Sequence, residues 1–152
     1  MKIILATDGT KHGKAAAEML TRYNLTSGDL IHVISVVDMA LPFSIDLYGG
    51  YLPDMAEMEK AGRDNAAAVV SETSVLLSAR FPEVEITTNV LFGSPDSRIV
   101  ETAEEIGADL IVLGSHGYTR WERLLLGSVS SSVVHHAHCS VLIVRTPEQA
   151  DG

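Results

Sequence analysis

Short apolar runs alternate with longer amphipathic ones along the whole chain, and that rhythm restricts its architecture more than any other feature. Ile3-Ile4-Leu5-Ala6-Thr7 reads as a buried strand that turns at Asp8-Gly9, after which Ala16, Met19, Leu20 and Tyr23 recur at helical spacing. Leu30 to Val37 is a second strand, rich in β-branched residues. Met39 to Pro53 holds no period and reads as a long functional or partner-facing loop. Met58, Gly62, Ala66, Val69, Thr73 and Leu76 then predict a long helix that stops before Pro82. Glu85 to Phe92 is a third strand. Ser94-Pro95-Asp96 opens a helix with the stripe Ile99, Ala103 and Ile106, and Gly107 closes it. Leu110 to Leu113 is a fourth strand, Val129, Val133 and Ala137 mark a last helix, and Val141 to Val144 a fifth strand, with Cys139 at its start.

Strands with continuous apolar runs are covered on both faces, so the expected fold is α/β, a doubly wound, mostly parallel sheet between helix layers. No internal repeat or linker divides it. One domain over residues 1–146 is expected, with a short tail at 147–152. A formal charge of −9 disfavours a protein held on nucleic acid or anionic lipid by a basic face. The longest apolar run is five residues, Ala66 to Val70, far short of the ~20 that span a bilayer, so no membrane insertion is expected. Asp8 interrupts the first apolar run, which reads as no signal peptide. The single cysteine agrees with a cytoplasmic setting and reads as a small buried hydrophobe.

Open parallel sheets bind ligands beyond the carboxyl ends of their strands, where strand order reverses. The informative loops are therefore Thr7-Asp8-Gly9 after strand one and Gly114-Ser115-His116-Gly117 after strand four, followed nine residues later by Gly127-Ser128-Val129-Ser130. Gly114 and Gly117 let a backbone come close to a ligand. Gly127-Ser128 opens a helix whose free N–H groups suit phosphates, and the bland alternative is a pair of turns with Ser128 as an N-cap. Gly9 to Lys14 is one residue short of a P-loop and is followed by Ala15 instead of a hydroxyl residue; no G-x-G-x-x-G follows strand one. Asp8 reads either as a ligand to ribose or to a phosphate-bound metal, or as a helix N-cap. His116 is the one histidine that the sequence places near a phosphate. His135, His136 and His138 lack a carboxylate or cysteine at metal-ligand spacing and read as last-turn residues.

Gly114-x-x-Gly117, nine residues, then Gly127-Ser128 resembles the motif of the ATP-binding members of the universal stress protein family. The flanking segments Ala108 to Gly117, Leu124 to Val129, Cys139 to Arg145 and Ala6 to Gly9 are similar to that family in the same order. The resemblance implies a five-stranded parallel sheet in the order 3-2-1-4-5, adenine nucleotide alpha hydrolase-like, with helices on both faces. It implies that Thr7 and Asp8 lie beside the nucleotide and that Val33 lines the adenine pocket. Leu113, Gly114, His116 and Gly117 would border ribose and phosphates, while Gly127, Ser128, Val129 and Ser130 hold the phosphate chain by N–H and hydroxyl groups. The ligand implied is ATP or another adenine nucleotide, with Mg²⁺ or Mn²⁺ on the phosphates, near Asp8, neutralising their charge beside Lys11, Arg120 and Arg123. The implied function is regulatory: occupancy changes a surface for an unknown protein partner, and hydrolysis or autophosphorylation is at most slow, since no base or nucleophile stands out. A homodimer through the last strand is implied as well. The rival readings are a scaffold module of the same family that binds no nucleotide, and an adenylating enzyme, whose Ser-Gly-Gly-x-Asp-Ser loop is replaced here by Thr7-Asp8-Gly9-Thr10-Lys11.

Overall fold

A computed structural model describes residues 1–39, 54–116 and 126–146. The chain runs β1 (Lys2–Ala6), α1 (Lys11–Leu20), β2 (Leu30–Asp38), α2 (Met55–Arg80), β3 (Glu85–Gly93), α3 (Pro95–Ile106), β4 (Leu110–Gly114), α4 (Ser128–His136) and β5 (Ser140–Val144). The five strands form one parallel sheet in the order β3-β2-β1-β4-β5. The alternation of apolar runs therefore has the predicted meaning, with strand ends shifted by one residue.

Pleating sends successive side chains to opposite faces, so β1 supplies two cores at once. Ile3 and Leu5 join Ala16, Leu20, Val33 and Leu77 beneath α1 and α2. Ile4 and Ala6 join Ile34, Ile99, Ile111 and Val133 beneath α3 and α4. Both faces are covered, which is why this strand carries no polar alternation. Ile3, Ile4 and Leu5 retain no exposure, and burial of such side chains stabilises by roughly 1.5–3 kcal/mol each.

The helix ends refine the sequence reading. Thr10, not Asp8, is the N-cap of α1, its hydroxyl oxygen accepting from the Gly13 amide. Pro95 opens α3 and Gly107 closes it in the left-handed region, as expected, but Ser94 turns its hydroxyl to the Asp96 carboxylate at 2.6 Å instead of capping the helix. In α2 the buried stripe is Ala66, Val70 and Leu77, while Met58 and Leu76 are exposed. The physical reason is a close approach at Gly62, where an added Cβ would lie 2.9 Å from Val37 Cγ1. That contact fixes the rotation of the helix, and Ala66 to Val70 suits either phase equally well. The expected loop, residues 39–53, and the tail, 147–152, lie outside the described residues apart from Met39.

Candidate functional site

In this strand order the connections from β1 and β4 leave to opposite faces of the sheet, and a crevice opens between their carboxyl ends. A cavity of about 500 Å³ occupies it, within the range of small-molecule sites. From β1 it takes Thr7 and Asp8, and from β4 Leu113, Gly114 and the following His116. The first turn of α4 adds Ser128, Val129 and Ser130 behind the Gly127 cap. These sequence-predicted residues, separated by up to 120 positions, meet at one place. Gly117 lies outside the described residues, as do Arg120, Trp121 and Arg123.

Val33 is the correction. Its side chain is fully buried in the core with Ile3, Leu5 and Leu77, on the face covered by α1 and α2. The part of β2 that lines the cavity begins one residue later and runs from Ile34 to Asp38, because the crevice lies beyond the strand's middle.

The two glycines do different work from that expected. A Cβ on Gly114 would lie 2.7 Å from the His12 carbonyl carbon and oxygen, so the close approach it permits is to the backbone of α1. A Cβ on Gly127 would lie 3.1 Å from the Ser115 carbonyl oxygen, and the Gly127 amide donates to that same oxygen at 2.8 Å. Ser130 also donates its hydroxyl to Ser115 O, at 2.9 Å, and is buried. That hydroxyl therefore ties the two loops together, and its proton is spent away from any ligand; the Ser130 contribution left for an anion is its backbone amide. The Ser115 amide in turn donates to Val144 O at the end of β5.

With glycine as its cap, α4 carries no side-chain hydrogen bond at its N-terminus. The first-turn amides of a helix have no partner within it, and here they open on the cavity with the positive end of the helix dipole. This is the arrangement that receives phosphates.

Asp8 accepts from the Thr10 amide at 3.0 Å and from the Thr10 hydroxyl at 2.6 Å, which holds its carboxylate at the mouth of the crevice. Two residues that sequence reading missed stand beside these. His12 lies with its ring 5.5 Å from that of His116 and hydrogen-bonds Thr146 after β5. His116 pairs its Nδ1 with the Ser115 hydroxyl, and its buried Nε2 has no partner. Burial, then the charges of Lys11 and His116, holds the His12 imidazole below the ordinary histidine range, while Asp8 opposes this. Across the cavity α2 presents Asn65, a polar residue directly before the buried Ala66, which is the one local signal that could have identified it. No lysine or arginine lines the cavity among the described residues.

The remaining candidates disperse. His135 and His136 bond back to the Ser131 and Ser132 carbonyls, and His138 pairs with Glu104 at 2.7 Å. Among the described residues no group of three or more histidine, cysteine or acidic side chains is placed to hold a metal. Cys139 is half-buried just before β5, with its thiol pushed up first by burial and then by the Asp109 charge. No helix among the described residues is long and apolar enough to cross a membrane.

The family model described as the universal stress protein family matches residues 1–145. The chain is 33% identical to universal stress protein MJ0531 of Methanocaldococcus jannaschii, over 97% of this chain and 84% of that protein. Its fold is similar to the solved structure of hypothetical protein MJ0577, with a TM-score of 0.82 at 22% identity and 97% of each chain covered. It is also similar to a universal stress protein solved in complex with cAMP, with a TM-score of 0.69 at 25% identity, covering 97% of this chain and 98% of that one. The sheet order, the glycine-capped helix at its crevice and a family match over nearly the whole length agree: this chain belongs to the universal stress protein family.

Proposed function

We propose that this protein binds an adenine nucleotide, ATP in the first instance, and acts as a regulatory module whose occupancy alters a surface read by a protein partner. The observation that carries the reading is the uncapped N-terminus of α4 opening on the crevice between β1 and β4. In it the amides of Ser128, Val129 and Ser130 would hold the phosphates, with His116 beside them and Leu113 and Gly114 beneath the ribose. Gly117 would close the same loop. The cAMP held by a relative supports a nucleotide of this class.

The charge balance calls for a cation. Polyphosphate enters a protein of net charge −9 through a cavity whose described lining offers no lysine or arginine. Mg²⁺ or Mn²⁺ held chiefly by phosphate oxygens and water, with the Asp8 carboxylate as the protein's contribution, fits a site that has one suitable carboxylate and no ligand cluster. The metal would supply neutralisation of phosphate charge. Calorimetric titration of ATP with and without Mg²⁺ tests this. Binding that strengthens about tenfold or more with the metal is expected. Equal affinity in both removes the metal, and no binding in either leaves a scaffold module.

A further inference from the structure

We propose that Ser35 and Asn65 read the base, selecting a 6-amino purine over a 6-oxo purine; the inference rests on the nucleotide reading above and deepens it. Strands β2 and β4 flank β1 on opposite sides, so at the ordinary interstrand spacing the two ends of the cavity lie about 10 Å apart. That separation suits a phosphate group at one end and a base at the other. The ends also differ in chemistry. Helix amides of α4 crowd the first, whereas the second is walled by aliphatic Val37 and Ala66 and carries the carboxylates of Asp8 and Asp38.

Two neutral polar groups interrupt that second wall. Ser35 is 5% exposed, lines the cavity, and has no hydrogen-bond partner for its hydroxyl among the described residues. A hydroxyl removed from water is normally paired, so a partner has to come from whatever fills the cavity. Asn65 projects from α2 on the same side, and its amide likewise has no partner among the described residues. A carboxamide presents a donor beside an acceptor, which complements the exocyclic amine and adjacent ring nitrogen of adenine. Carboxylates accept only, so Asp8 and Asp38 favour a base edge that donates and repel a carbonyl at the same position. Val37 and Ala66 leave an apolar slot for the flat ring.

The test titrates AMP, GMP and inorganic tripolyphosphate by calorimetry into the wild type, Asn65→Ala and Ser35→Ala. Tripolyphosphate probes the α4 end alone and reports that each variant is folded. The wild type is expected to prefer AMP. Asn65→Ala is expected to cut that preference about tenfold and Ser35→Ala several-fold, with tripolyphosphate binding all three proteins alike. A wild type that binds both nucleotides equally, or a preference unchanged in both variants, overturns the base reading while nucleotide binding stands. A wild type that binds none of the three probes overturns both.

Discussion

The His12 imidazole sits at the meeting point of four segments: its own helix, Asp8 after β1, His116 after β4 and Thr146 after β5. Its pKa lies below 6.5, chiefly through burial, and burial pushes His32 the same way. The unfolded chain therefore binds protons that the folded one refuses. Their cost to stability is absent above the ordinary histidine value and grows as pH falls from there through the folded-state values. Asp96 has the opposite sign: the hydroxyls of Ser132 and Ser94 hold its carboxyl below 3.8, a contribution that is lost only in stronger acid. Thermal denaturation between about pH 7.5 and about pH 5 should show the melting temperature falling, and His12→Gln should flatten part of that fall. Parallel profiles for the two proteins would exclude His12 as a source. No sequence pattern announces this residue, because its neighbours come from three strand ends that meet only in the folded sheet.

Elements were legible in proportion to how fully packing dictates them. Ile3 to Ala6 and Leu110 to Leu113 read correctly because both faces of those strands are covered, leaving no room for a polar residue. The rotation of α2 did not, because a glycine and small side chains set its closest approach and hydrophobicity hardly marks them. The glycine motif likewise pointed to the right place for a partly different reason. Gly114 is required by the α1 backbone, so Gly114→Ala must push helix and strand apart. A loss of about 1–3 kcal/mol is expected, seen as a melting temperature lower by several degrees, with or without nucleotide. An alanine variant that is equally stable but binds nucleotide weakly would place the constraint on the ligand instead. Ser35 and Asn65 stayed hidden at this level too, since neither belongs to a motif and only the β2–α2 packing brings them to one wall.

At the scale of the whole molecule, β5 pairs with β4 alone and leaves its other edge open, carrying the half-buried Val141, Leu142 and Ile143. A row of unpaired backbone groups flanked by aliphatic side chains is a template for a second copy. Light scattering at about 10 μM is expected to give twice the 16.3 kDa mass of one chain; the mass of a single chain would refute the pairing. The open edge and the crevice are not independent. The Ser115 peptide accepts from Gly127 and Ser130 on one side and donates to Val144 on the other. A planar peptide group resists twisting, so a pull on the head of α4 is handed on, through one rigid hinge plate, to the last residue of the outermost strand. Whatever seats itself in the crevice thereby has a mechanical grip on the rim where a second molecule would lean.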